Sequence, residues 1–344
     1  MTPQNITLYS LAFLGACVLS LVLTPAARAA ALFFHVIDHP NSDVKTHKEP
    51  VPYLGGVAIF LSFVLVLLWI RVLTSFPTGT LRSLRGIVIG GTLMFILGLI
   101  DDIKFKGLHY RTKFVFQITA TLIVILFGIR LQFIHPVGVA LILSLVWIVG
   151  VTNALNLIDI MDGLASGIVF IAALGFLFIS LPTEEIYVNF AAAALAGAVL
   201  GFMPFNFSKK YKLFMGDCGS LFLGFVVAVL ALGTSYKGKT NLAVLCPLLI
   251  LAVPLYDTLA VFAFRIKRGM SPFLGSKDHF PLRLEKLGWS RTRILIFTLV
   301  VTLVFNIGAF VVTKAPYIYA LAIYCVFGLC LVLFTLTILK AKVE

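Results

Sequence analysis

Long, nearly unbroken apolar stretches alternate with short polar segments along the chain, at about 7–33, 53–73, 84–100, 114–134, 137–155, 164–182, 186–205, 219–235, 242–264, 293–313 and 317–339. Each approaches the roughly 20 residues with which a helix crosses a ~30 Å hydrocarbon core. Lipid offers the backbone no hydrogen-bond partner, so each stretch is predicted to be a helix, and no alternating pattern suggests barrel strands. The expected fold is therefore all-α, a polytopic integral membrane protein of about eleven transmembrane helices, with residues 1–344 forming a single transmembrane domain.

Composition agrees: 60% of the residues are hydrophobic and 12% are charged, against about 25% charged in a soluble domain. The five cysteines (Cys17, Cys218, Cys246, Cys325, Cys330) show no metal-ligand spacing. The stretch LGAC ending at Cys17 imitates a processing site, yet the first ten residues lack Lys and Arg, so the segment reads as a first span. Most of the 27 Lys and Arg residues fall in the loops that hold Lys45, Lys104, Lys209, Arg268 and Lys340. The positive-inside rule puts those loops and the C-terminus in the cytoplasm and the N-terminus outside.

Acidic residues then become informative, because a carboxylate near hydrocarbon is costly and marks function by default. Asp101-Asp102, Asp159 with Asp162, Asp217, and Asp278 beside His279 all lie at span ends on that same cytoplasmic face. The net charge of +13 suits both anionic headgroups and a polyanionic substrate. Residues Gly233 to Thr240 read GTSYKGKT, a literal phosphate-loop pattern. Apolar spans flank it, however, and the expected topology puts Lys239 on the side opposite Asp101, so the nucleotide-hydrolase reading fails.

Five segments carry candidate chemistry. In DHPNSDVKTHKEPVPYLGG, Lys45, His47 and Lys48 are candidates for gripping phosphate, and Gly55-Gly56 admits a close backbone approach. In GLIDDIKFKGLHYRTK, the adjacent Asp101 and Asp102 are about 100° apart on a helix, so one faces the bundle while the other caps or meets a metal; Lys113 follows. In NALNLIDIMDGLASG, Asn156, Asp159 and Asp162 share a helical face from which Asn153 turns away. Such oxygens suit Mg²⁺, which keeps several waters and needs one or two protein oxygens plus phosphate. FNFSKKYKLFMGDCGSLFLG supplies Asn206, the acid Asp217, and Phe214, which serves either to stack on a base or to anchor at the interface. The last polar loop holds Asp278 and His279, a candidate to orient phosphate or shuttle a proton. Asp257 within a span demands a partner, for which Arg265, also a candidate substrate contact, is available.

The order of these motifs resembles the polyprenyl-phosphate N-acetylhexosamine-1-phosphate transferase family (glycosyltransferase family 4) over essentially the whole chain. The resemblance rests on KTHKEPVPYLGG, LIDD, NALNLIDIMDGL, FMGDCGSL and PLYD. It implies attack of a polyprenyl phosphate, such as undecaprenyl phosphate, on a UDP-N-acetylhexosamine at the cytoplasmic face of the bacterial inner membrane, leaving UMP and a lipid-linked diphosphosugar. By resemblance Asp217 would hold Mg²⁺ (or Mn²⁺) with Asn156, Asp162 would meet the uracil, and Phe214 would line the base. Lys48 and Lys113 would contact phosphates, Asp101 and Asp102 would stand beside the attacking lipid phosphate, and Asp159 and His279 complete the catalytic candidates. A homodimer follows by analogy, and no nucleic-acid partner is expected.

Two departures matter. Relatives with a histidine-rich loop carry HxHH or HHH, where this chain reads HFPLRL from His279, with Pro281 and Leu282 in place of histidines. Many bacterial relatives read DGxDG where Ile160 stands here. The first departure bears on the identity of the sugar more than on the reaction class and weighs against a phospho-N-acetylmuramoyl-pentapeptide transferase; the expected transferred group is N-acetylglucosamine 1-phosphate. A multispan transporter of anionic substrates stays open as an alternative, although its ionisable groups would be expected near mid-membrane.

Overall fold

The structure is a computed structural model that describes residues 3–40, 49–104, 107–236, 238–270 and 278–341. Helices dominate it: α1 (Pro3–Phe33), α2 (Gly55–Leu73), α3 (Thr78–Ile103), α4 (Tyr110–Leu126), α5 (Val137–Leu157), α6 (Leu164–Ser180) and α7 (Ile186–Phe207). They continue with α8 (Asp217–Gly233), α9 (Cys246–Ile250), α10 (Ala252–Lys267), α11 (Phe280–Lys286), α12 (Arg291–Lys314) and α13 (Tyr317–Ile338). Two short strands, β1 (Ile37–Asp38) and β2 (Val51–Pro52), pair antiparallel beside α2.

Every apolar stretch expected to cross the membrane carries a helix, but length divides them. Among the described residues eight helices are long and apolar enough to span, and the pair α9 and α10, bent by 71° at their junction, makes a ninth. The other two expected spans fall on α4 and α8, of 17 residues each, or about 26 Å. For α8 the reason is its position: 14 of its 17 residues are buried, and it packs against α2, α3, α5, α6 and α7. A helix enclosed by protein meets no lipid thickness to match, and its all-round apolar sequence is that of a core element. At the other extreme α13 buries only Ala320 and Ile338 and presents the rest of its apolar surface outward.

This central placement depends on small residues. A Cβ added to Gly56 would lie 2.2 Å from the Gly219 nitrogen, so the starts of α2 and α8 touch backbone to backbone, as small residues permit between membrane helices. Hydrogen bonds from the Gly55 and Gly56 amides to the Phe214 and Met215 carbonyls (2.9 and 2.8 Å), and from the Phe214 amide to the Pro52 carbonyl (2.9 Å), stitch the first polar loop to the segment that precedes α8. Sequence separation of some 160 residues hid that pairing. Gly233, which opens the phosphate-loop look-alike, ends α8 at the opposite pole from Asp217.

Candidate active site

Three of the four acidic clusters meet in one cavity of about 670 Å³ at the pole where α3 and α5 end and α8 begins. Its lining includes Asp101, Asp102, Asn156, Asp159, Asp162, Asn206, Phe214 and Asp217 among the residues singled out from sequence.

The two neighbouring acids of α3 point different ways. Asp102, buried, accepts hydrogen bonds from the Asp217 amide (2.8 Å) and the Cys218 amide (3.0 Å). It thereby caps α8 from another helix, satisfying donors that the N-cap Gly216 has no side chain to meet. Gly216 takes φ 75°, and a Cβ there would come 2.6 Å from Asp102 Oδ2, so this turn accepts glycine alone. The Tyr53 hydroxyl donates to the Asp102 carbonyl (2.6 Å); burial and the nearby Asp102 carboxylate push its pKa up to about 12, so it remains a donor.

Asp101 faces the cavity. Its Oδ2 accepts from Lys113 Nζ at 2.5 Å, and the same ammonium donates to Asp217 Oδ2 at 2.9 Å. One cation thus bridges two carboxylates that would otherwise repel. Asn156 Nδ2 donates to Asp217 Oδ1 (3.0 Å) and to Ser220 Oγ (2.8 Å), leaving its amide oxygen without a bond from the described residues. Asn153, one turn earlier, instead exchanges bonds with Gln117 (3.1 and 2.9 Å); α5 ends at Leu157, so Asp159 and Asp162 lie in the following loop and not on the helical face expected for them with Asn156. The Asp217 side chain remains 32% exposed.

The wall away from these acids is formed by the loops 158–163 and 208–216. Lys212 Nζ donates to Asp162 Oδ2 (2.6 Å) and lies 5.2 Å from the Phe214 ring centre. Asn206 joins the two loops, accepting from the Gly163 amide (2.6 Å) and donating to the Leu213 carbonyl (3.1 Å). Asp159, half-buried in the first loop, has its carboxyl pushed up to about 8 by burial, then by the nearby Asp217 and Asp162 charges.

The fourth cluster stands apart. His279 Nδ1 pairs with Asp257 Oδ2 (2.6 Å), and Asp257 Oδ1 accepts from the Phe280 amide (2.8 Å). The partner of Asp257 is therefore His279 and the start of α11, where sequence had offered Arg265. Arg265 and His279 are both buried and neither lines the cavity. Asp278 is bound by Arg283 (2.6 Å) and Arg268 (3.3 Å). Lys45, His47 and Lys48 lie outside the described residues.

Several lining residues had escaped the sequence reading: Tyr53, Lys104, Arg291 and Thr292. Tyr53 carried a weak signal, sitting between the loop prolines and Gly55-Gly56. Arg291 carried none, since it is one cation in a polar loop rich in them.

A divalent ion fits the oxygen set. Among the described residues no group of three or more His, Cys, Asp or Glu could hold a metal alone, but Mg²⁺ characteristically takes one or two carboxylate oxygens and fills its shell with water and phosphate. The half-exposed Asp217 carboxylate and the open amide oxygen of Asn156 beside it are such a pair.

Comparison with known proteins agrees with the geometry. The profile of glycosyl transferase family 4 matches residues 84–235, which spans α3 to α8 and hence all three acidic clusters of the cavity. The chain is 30% identical over 324 residues, covering 92% of it and 88% of the relative, to the "Probable undecaprenyl-phosphate N-acetylglucosaminyl 1-phosphate transferase" of Bacillus subtilis. It is 31% identical over 329 residues (86% and 80%) to the decaprenyl-phosphate N-acetylglucosaminephosphotransferase of Mycolicibacterium smegmatis. It is also 30% identical over 307 residues (82% and 78%) to the undecaprenyl-phosphate alpha-N-acetylglucosaminyl 1-phosphate transferase of Escherichia coli K12. A chain that matches such relatives at 30% identity over most of its length belongs to glycosyl transferase family 4, the polyprenyl-phosphate N-acetylhexosamine-1-phosphate transferases.

Proposed function

We propose that this protein transfers N-acetylglucosamine 1-phosphate from UDP-N-acetylglucosamine to undecaprenyl phosphate at the cytoplasmic face of the bacterial inner membrane. The observation that carries the reading is the Lys113 ammonium shared by Asp101 and Asp217 at the mouth of α8, in a chain similar to proteins named undecaprenyl-phosphate N-acetylglucosaminyl 1-phosphate transferases. An oxygen of the lipid phosphate bonds to the sugar-bearing phosphorus of the donor. The bond from that phosphorus to the bridging oxygen breaks, the oxygen and the electron pair leave with UMP, and the lipid carries away the diphosphosugar.

A phosphate monoester with its second pKa near 6 is mostly dianionic at pH 7, so the acceptor needs little help from a base. What the reaction demands is positioning and charge neutralisation. Asp217 and Asn156 would hold Mg²⁺, which would neutralise charge on the donor's diphosphate. Lys113, held between two acids, stands ready to donate to phosphate oxygens as they approach. Phe214 and the Lys212–Asp162 pair form the wall suited to a nucleobase, with an aromatic face and in-plane polar groups. Asp102 serves the reaction at one remove, fixing the start of α8 and with it the direction of Asp217.

The N-terminus outside and the site inside follow from the positive-inside bias of the loops, and a homodimer from analogy. The test is transfer of radiolabel from UDP-N-acetylglucosamine into solvent-extractable lipid by purified protein with undecaprenyl phosphate and Mg²⁺. Label in lipid with stoichiometric UMP, lost on chelation and restored by Mg²⁺, is the expected outcome. Label reaching lipid only from a different UDP-N-acetylhexosamine would reject the sugar and keep the reaction. Absence of transfer from all such donors would reject the reaction.

A further inference from the structure

We infer that Arg291, at the first position of α12, binds the diphosphate of the nucleotide-sugar donor, so that α12 supplies the wall of the site that the buried His279 does not. The inference rests on the transferase reading and adds to it a residue that no motif announced.

Two contacts fix where Arg291 stands. A Cβ on Gly167 would lie 2.5 Å from Leu299 Cδ2, and one on Gly175 would lie 2.1 Å from Asn306 Oδ1, so α6 and α12 run parallel in tight register. Gly167 is three residues from the start of α6 and Leu299 eight from the start of α12. At 1.5 Å per residue α12 therefore begins about 7 Å beyond α6, past the loop that bears Asp159 and Asp162. Arg291, Thr292 and Leu295 line the cavity there.

Of the other cations at the site, Lys113 is shared by Asp101 and Asp217 and Lys212 is held by Asp162, while Lys104 is exposed at the end of α3, beside Asp101 and Asp102. Arg291 is bound through Nε alone, to Glu285 at 2.9 Å, and its two Nη groups take no bond from the described residues. That ion pair is exposed, with side chains 46% and 37% accessible, and such pairs are weak. A guanidinium steadied at one nitrogen, with a forked pair of donors left over, matches a phosphate edge bidentately.

The test compares UDP with uridine, which differ by the diphosphate alone, in calorimetric binding to the full chain in nanodiscs with Mg²⁺. For Arg291→Ala we expect UDP affinity to fall about tenfold or more with uridine binding unchanged. Arg291→Lys should recover part of the loss, because an ammonium lacks the fork. Glu285→Gln, which removes the competing carboxylate, should bind UDP at least as tightly as the wild type. In turnover, Arg291→Ala should raise KM for the donor far more than it lowers kcat. Unchanged UDP affinity in Arg291→Ala, or a parallel fall for uridine and UDP, overturns the inference. A wild-type protein that binds UDP no better than uridine and transfers no label overturns the functional reading beneath it.

Discussion

Two clusters of acids and cations occupy this molecule, and they are put to different ends. Around Asp217 the groups are left partly open: Lys113 is 23% exposed, Asp217 keeps a third of its surface, and the amide oxygen of Asn156 takes no bond from the described residues. Around Asp257 the groups are closed in. Asp257 is fully enclosed and divided between His279 and the Phe280 amide. Arg283, 2% exposed, is held by the Asp278 carboxylate and carbonyl, by the Ala341 carbonyl (3.3 Å) and by the Phe264 ring 4.1 Å away. One cluster keeps hydrogen-bonding capacity for a ligand, while the other spends it fastening α10, α11 and the end of the chain together. A charged motif in a membrane protein thus marks chemistry only when its atoms remain unsatisfied by the protein itself.

The comparison can be broken at either cluster. The largest effect is expected at Lys113→Met, which takes the shared cation from Asp101 and Asp217 while adding no bulk. Turnover should fall by roughly 10²-fold or more, the scale of losing a preorganised charge partner in a site, as measured by UMP release at saturating donor. In the closed cluster, Arg283→Met should destabilise by roughly 3–5 kcal/mol, because Asp278 is left buried with a weaker partner. A lower melting temperature in nanodiscs, with donor KM unchanged for the folded fraction, is the expected signature.

A smaller effect belongs to Asp159. Its folded pKa of about 8 stands above the ordinary 3.8, so the folded state binds the proton more tightly than the unfolded one. The resulting stabilisation is fully present below pH 3.8 and is lost as pH rises toward 8. Asp159→Asn, neutral throughout, should melt increasingly above the wild type across that window when donor and divalent ions are absent. Smallest of all, Tyr53→Phe deletes one hydrogen bond to the Asp102 carbonyl and should cost about 0.5–1.5 kcal/mol, read from the melting temperature.

Much of this was legible in the sequence, because membrane physics leaves few choices. Apolar runs became helices where expected, and acids at the span ends Asp101, Asp159 and Asp217 converged since all lay on one face. The 100° step between Asp101 and Asp102 anticipated that the two would point different ways, but the acid facing the bundle, Asp102, is itself the cap, and Asp101 faces the cavity. What sequence could not give were the contacts made by loops of distant origin: the strand-like seam between Pro52 and Phe214, the clasp of Asn206 on Gly163, and Arg291 beside the loop of Asp162. Those pairings have no periodicity to betray them. Burial was hidden as well: His279 stood among the site candidates in sequence, and the structure places it buried against Asp257 and outside the cavity lining. The sequence also could not tell that the 17-residue α8 runs enclosed by other helices, since an enclosed helix and a lipid-facing one look alike until their neighbours are known.

The measurement that bears most directly on the contrast is label transfer by Asp217→Asn at a folded fraction matched to the wild type. The substitution keeps size, the bond from Asn156 is replaceable at the amide oxygen, the partly exposed Lys113 keeps Asp101 when it loses Asp217 Oδ2, and the helix cap from Asp102 goes to the backbone. Loss of transfer by at least two orders of magnitude with an unchanged melting temperature is the result expected of an open cluster built for chemistry. Near wild-type transfer, or a collapse of stability that accounts for the loss, would place Asp217 with the structural acids and contradict the account.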